Sequence, residues 1–334
     1  MSIPADPSTT VTPRVTRRSL VQTAILLAIS GAASAWAPTR LNARESQETD
    51  TLPVTELAPG IFVHAGTHAL ASAANLGGIS NAAFIIGEEC VAVIDTGGSY
   101  RFGVALREAI RARTDRPIRY VINTHMHPDH VLGNAAFRGD QPAFVAHSKM
   151  GRGLAARSGS YLSAARTLLG EEAFAGTELV LPTQAIETSR TIDLGQRTLR
   201  LDPQPTAHTD NDLVIFDDRT RTLFTGDLLF VDHVPALDGS ILGWLEVIAR
   251  LRVFAAERAV PGHGPASVSW PDALDPQERY LQAIVRDVRA MIEEGQTLKQ
   301  AMSTAAIGEK GGWEMFEDYH ARNVASAFAE LEWE

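Results

Sequence analysis

The run Thr124-His125-Met126-His127-Pro128-Asp129-His130 places four metal-ligating side chains within six residues. Three of the chain's ten histidines fall in that window, with an aspartate among them. Scattered core or surface histidines do not bunch in this way, whereas metal sites do. Imidazole suits zinc and other late first-row metals, and a carboxylate in the set suits hydrolytic zinc or iron. His125 and His127 are two apart, so they project the same way from an extended segment and can clamp one ion. Asp129 and His130 lie past a turn and can point at a second ion beside it.

The elements around this run must position it. Ile118-Arg119-Tyr120-Val121-Ile122-Asn123 is β-branched and aromatic, which predicts a short buried strand feeding the loop. Gly133-Asn134 reads as the turn that leaves it. Two further stretches can close the site: Ala207-His208-Thr209-Asp210, and Pro261-Gly262-His263-Gly264 behind Arg258-Ala259-Val260. Between them Leu223-Phe224-Thr225 is a short apolar run ending in Gly226-Asp227.

Taken in order, the His-x-His-x-Asp-His run, the later histidine before a strand, the Gly-Asp and the Pro-Gly-His-Gly resemble the metallo-β-lactamase-fold hydrolases. The resemblance spans residues 54 to 265 and implies an α/β fold, an αββα sandwich of two facing mixed sheets with outer helices. It implies that His125, His127 and His208 hold one metal and that Asp129, His130 and His263 hold a second. Asp227 would bridge the two, so that Asp129 and Asp227 are the catalytic carboxylates. The implied cofactor is a pair of zinc ions, with iron or manganese as substitutes. A hydroxide shared by the pair would attack a carbonyl while one metal steadies the oxyanion, leaving no need for a side-chain nucleophile. Asp95, Asn134, Asp210, Asp212 and His233 are candidates for supporting the ligands or touching substrate. Asp95 is expected to orient the histidine loop by hydrogen bonds.

Lactamases of the first group carry cysteine where this chain has Asp227, and those of the third usually lack the bridging aspartate. The set here looks more like the glyoxalase II, lactonase and phosphodiesterase side. Val121 to His125, Gly133 to Phe137, Leu237-Asp238-Gly239-Ser240 and the tail from Arg322 to Glu334, together with an export signal, look like the quinoprotein relay system zinc metallohydrolases. Those are related to the hydrolase of sulfur-oxidation clusters. That likeness implies a setting beside a periplasmic quinoprotein dehydrogenase system, with a small-molecule substrate: an ester, thioester, lactone or amide. Three alternatives stand beside it: a one-iron oxygenase like the persulfide dioxygenases, hydrolysis of β-lactams as main or side activity, and a non-catalytic protein stabilised by metal.

The remaining chain frames these motifs. Its 334 residues, 45% of them hydrophobic, allow a large core with an appendage. A net charge of −10 with no lysine- or arginine-rich run argues against nucleic acid as partner. Residues 1–37 read as a leader: Arg14, Arg17 and Arg18, an apolar stretch from Leu20, then Ala33-Ser34-Ala35 as a cleavage signal. Thr16-Arg17-Arg18-Ser19-Leu20-Val21-Gln22 resembles a twin-arginine export signal, which implies the periplasm. Residues 38–52 read as a linker, 53–265 as the hydrolase domain and 266–334 as a helical extension. Residues 66–80, rich in Gly, Ala and Ser, read as a loop over the metals. Phe102, Leu106 and Ile110, four apart, predict a helix over Ser99 to Arg113. Trp244, His233 and Asp238 are candidate pocket walls. The single cysteine, Cys90, sits in an apolar run and reads as a buried small hydrophobe.

Overall fold

The computed structural model describes residues 52–334. The leader and nearly all of the linker lie outside these residues. The described residues form a single compact unit, which includes the helical tail.

Two sheets face each other. The first holds, in spatial order, β1 (Thr55–Ala58), β2 (Ile61–His64), β3 (Ala82–Ile86), β4 (Val91–Ile94), β5 (Ile118–Ile122), β6 (Ala143–His147) and β7 (Gln184–Ile186). The second runs β13 (Val268–Ser269), β12 (Arg258–His263), β11 (Thr222–Phe230), β10 (Leu213–Asp217), β9 (Thr198–Pro203) and β8 (Arg190–Asp193). Both are mixed: β4, β5, β6 and β7 are parallel, as are β11 and β12, and the hairpins are antiparallel. This is the αββα sandwich expected.

Strand β4 shows why the layers stack. Val91 and Val93 point outward to Phe102, Leu106 and Ile110 of helix α1 (Tyr100–Arg111), while Ala92 and Ile94 point inward to Leu201 and Ile215 of the other sheet. A strand covered on both faces reads as a continuous apolar run, as this one does. Each of the three large α1 side chains contributes roughly 1.5–3 kcal/mol by leaving water. Ser99 caps α1, its hydroxyl accepting from the Phe102 amide at 3.1 Å. Cys90 is buried beside β4 and unpaired.

The turn expected at Gly133-Asn134 is present, with Gly133 in a turn and Asn134 opening the next element. Pro128 starts a short helix α2 (Pro128–Val131), and a 3-10 turn over Asn134–Asp140 follows directly. Proline at the first helical position fixes φ there and holds His127 extended at φ −66°, ψ 148°. The break between the two ligand pairs therefore falls at Pro128.

After β6 comes helix α3 (Met150–Phe174), kinked at Gly170. Helix α4 (Ile241–Leu251) follows β11. The tail forms α5 (Leu274–Glu293), α6 (Leu298–Thr304) and α7 (Phe316–Leu331). Tyr280, Ile284, Val324 and Ala327 of this tail share one buried cluster with Leu229 of β11 and Trp244 of α4. The tail is thus built into the outer layer of the second sheet.

Candidate active site

Every donor residue sits where a strand of one sheet meets the other. The loop after β5 carries His125 to His130, the β9–β10 connection carries His208, β11 carries Asp227 and the end of β12 carries His263. Two glycines make the approach possible. A Cβ on Gly226 (φ +52°) would lie 2.5 Å from the Thr124 side chain. A Cβ on Gly262 would lie 1.9 Å from Asp227 Oδ1. Met126, between the two clamp histidines, points away into the core under α3 and anchors the loop.

Two donor groups result. His125, His127, His208 and Asp227 offer atoms within 4.8 Å of one another, and so do Asp129, His130 and His263. Asp227 faces both. Its Oδ2 lies 3.6 Å from His125 Nε2, 3.4 Å from His208 Nε2 and 3.5 Å from His263 Nε2. Its Oδ1 lies 3.1 Å from His130 Nε2. Ligand atoms around one tetrahedral zinc stand roughly 3.3 Å apart, so the spacing suits an ion.

The hydrogen bonds on the far side of each ring decide which nitrogen is free. His208 Nδ1–H donates to the Ala236 carbonyl at 2.6 Å, leaving the Nε2 lone pair. His127 Nε2–H donates to Asp238 Oδ2 at 3.0 Å, leaving the Nδ1 lone pair. Those two lone-pair nitrogens face each other at 3.0 Å, which repels unless a cation lies between them. His130 Nδ1–H donates to Asp95 Oδ2 at 2.8 Å and again frees Nε2. His125 Nδ1 meets the Thr124 hydroxyl at 3.1 Å, and that hydroxyl donates to Asp95 at 2.7 Å. His125 Nε2, His130 Nε2 and Asp227 Oδ1 are buried without a hydrogen-bond partner. Orphaned polar atoms of this kind are rare in interiors, and three of them within the two donor groups fit metal ligation.

The charges agree. Burial disfavours charge on His208 and lowers its pKa to about 3, and it holds His125 well below the ordinary value. Burial also works against charge on His263, yet Asp227 and Asp129 outweigh it and raise the ring to about 9. His130 is likewise raised despite burial, by Asp227, Asp129 and Asp95. The two carboxylates are held well below the usual range, burial being overcome by His130 and its neighbours. His125 and His208 are thus neutral imidazoles, while the ionised Asp129 and Asp227 draw positive charge onto His130 and His263, the charge that a cation there would supply.

The supporting candidates divide. Asp95 (φ 55°) binds both His130 and the Thr124 amide, so one carboxylate grips both ends of the loop. Asn134 does not reach the donors; it exchanges amide bonds with Asn123 and accepts from Thr96. Asp210 accepts from the Asn211 amide and bonds no donor histidine. Asp212 instead closes the turn behind His208, accepting from the Thr209 amide and hydroxyl. Trp244 is fully buried and packs edge-on behind His208 at 5.4 Å, so it is not a pocket wall.

His233 does line the pocket, its Nδ1–H donating to the Val234 carbonyl. The cavity above the donors holds about 350 Å³. Arg157 and Tyr161 of α3 border it on one side, Tyr319 and Arg322 of α7 on another, with Asp238 between the arginines. Sequence reasoning missed the four α3 and α7 residues. Each sits in a helix with no motif of chemistry, and only the docking of those helices brings them to the donors.

The chain matches the model of the metallo-β-lactamase superfamily over residues 76–263. It belongs to that superfamily, whose members are generally metal-dependent hydrolases. Among solved structures it is similar to a metallo-β-lactamase from Pontibacter korlensis, at 21% identity and a TM-score of 0.57, covering 70% of this chain and 99% of that one. It is similar to TMB-1 at 19% identity and 0.54, covering 70% and 97%. It is also similar to a double mutant of the sec-alkyl sulfatase PisA1, at 17% identity and 0.64, covering 83% of this chain and 50% of that one. At these identities the likeness shows the fold. Nothing among the curated proteins matches.

Proposed function

We propose that this enzyme is a two-zinc hydrolase of a small acyl compound (an ester, thioester, lactone or amide) that also carries an anionic group. The observation that carries the reading is Asp227, whose two oxygens face the nitrogens of both donor groups. When bound, two metals would bring the pKa of a shared water towards 7 and polarise the carbonyl.

The chain's own residues hold the substrate. Arg157 and Arg322 flank the single carboxylate Asp238, which is already bonded to His127, so one positive charge is spare at the rim. That charge suits a carboxylate or a similar anion on the substrate. Burial raises the Tyr161 and Tyr319 phenols to about 12, so both stay protonated and can donate hydrogen bonds. Ile79, Phe230 and Leu237 supply the apolar walls that exclude water.

The export signal and the likeness to the quinoprotein relay system hydrolases support a periplasmic role beside a quinoprotein dehydrogenase system. The test begins with metal content of residues 38–334 prepared without chelator. About two zinc ions per chain, followed by turnover of an anionic ester, thioester or lactone, is the expected result. One iron per chain with oxygen uptake on a persulfide would replace the reading with an oxygenase.

A further inference from the structure

We infer that Asn323, on the C-terminal helix α7, is a positioning residue for the first donor group, acting through the segment Pro235 to Asp238. That segment belongs to no strand or helix, so no ladder of backbone bonds fixes it. Yet it makes the outer contacts of two donor histidines. The Ala236 carbonyl takes the His208 Nδ1 proton at 2.6 Å. The Asp238 carboxylate takes the His127 Nε2 proton at 3.0 Å, and the Asp238 amide donates to the His208 carbonyl at 3.1 Å.

Asn323 grips the peptide units on both sides of Ala236. Its Oδ1 accepts from the Leu237 amide at 2.9 Å, and its Nδ2 donates to the Pro235 carbonyl. The side chain is 1% exposed, and a second Nδ2 bond, to the Tyr280 hydroxyl at 3.0 Å, fixes it in turn. Tyr280 also bonds His320, whose other nitrogen meets the Ala305 carbonyl at 2.9 Å. Rotation about the backbone at Ala236 would swing its carbonyl off His208, and Asn323 is what opposes that rotation. Glu330 pins the segment further on, at Ser240 and Ile241, and Glu314 pins it earlier, at Val234, but neither bonds the peptides around Ala236. The tail therefore sets the ring orientation, and hence the metal affinity, of His208 and His127.

The test reads metal binding rather than turnover, so it stands even if the hydrolase reading fails. In an Asp129→Ala background, which cripples the second donor group, metal-depleted protein is titrated with zinc against a chelator and with cobalt. Loss of a ligand histidine's direct partner costs about 10–100-fold in affinity. Asn323→Ala acts one step further out and is expected to weaken zinc binding about 10-fold and to shift the cobalt absorption bands. Ile284→Ala trims the same buried cluster of the tail without removing any bond to Asn323 or to the Ala236 peptides, so it should lower the melting temperature and leave affinity and bands alone. Ala236→Gly, which loosens the segment with Asn323 in place, should weaken binding in the same direction and serves if Asn323→Ala does not fold. Wild-type affinity and bands in Asn323→Ala, or in Ala236→Gly where the former is unfolded, would reduce Asn323 to a packing residue of the tail.

Discussion

Asp95 and His130 are joined by a 2.8 Å bond between two side chains that are almost wholly buried. The same carboxylate receives the Thr124 amide and hydroxyl, so the strand end that launches the histidine loop and the helix that ends it are tied to one residue. Asp95→Asn would leave the loop its shape but offer His130 a weaker acceptor. The expected outcome is a loss of about 10–100-fold in affinity for the metal held by the second group, read by chelator competition. Unchanged affinity would mean that the bond merely packs the loop.

Asp129 and Asp227 differ in what they serve. Asp129 lies 3.4 Å from His130 Nε2 and 3.3 Å from His263 Nε2, and it belongs only to the second donor group. Asp129→Ala should therefore drop the metal content from about two to about one per chain and abolish turnover, with the first group still loaded. Elemental analysis beside a steady-state assay checks both halves, and wild-type hydrolysis by this variant would end the two-metal mechanism.

How much of this was legible in the sequence follows from what each feature depends on. The seven donors could be read because their spacing is local or tied to strand ends, and α1 because Phe102, Leu106 and Ile110 keep one period. The turn at Gly133 was legible from its chemistry, whereas the short helix begun by Pro128 was not, because four residues are too few to show a helical period. Arg157, Tyr161 and Tyr319 were invisible for a different reason, and Arg322 and Asn323 stood out only as part of the tail's resemblance, with no role attached. They reach the site through the packing of α3 and α7, and no short-range pattern encodes which face of a helix meets a pocket about 30 to 200 residues away.

The pocket's cations make a prediction about selectivity. Arg322 is largely exposed and 3.8 Å from Asp238, so it is free to turn to an incoming anion. Arg322→Gln should raise KM for an anionic ester about 5- to 10-fold, the worth of roughly 1 kcal/mol for a partly screened charge pair, with kcat little altered. A neutral isostere of the same ester should show no such change. Equal effects on both substrates would place Arg322 in the support of Asp238 rather than in substrate binding.

Gly262 tests how closely β12 must pass Asp227. A Cβ there would sit 1.9 Å from Asp227 Oδ1 and 2.7 Å from the Gly226 carbonyl carbon, and neither neighbour is the free end of a flexible chain. Gly262→Ala should push Asp227 out of line, lower metal content and cut kcat/KM by at least about 100-fold, with an overpacking cost to stability of about 1–3 kcal/mol. Retained metal content and activity would show that β12 can move aside.

Far from the site, Asp140 gives a pH prediction. Its nearly buried carboxylate accepts from Arg107 and Arg111 on α1 and ties that helix to the 3-10 turn that follows the histidine loop. Burial alone would raise its pKa, but the two guanidinium hydrogen bonds prevail and lower it. A carboxyl whose folded pKa lies below its unfolded value stabilises the fold fully above the unfolded pKa, near 4. That contribution fades as pH falls through the lower folded value. The arginines are each more than a third exposed, so solvent screens the pair and its worth is about 1 kcal/mol. Asp140→Asn should therefore be less stable than wild type by about 1 kcal/mol in urea unfolding at pH 7. The gap should close as the pH is brought below about 4. A gap that is constant across that range would assign the loss to packing rather than to charge.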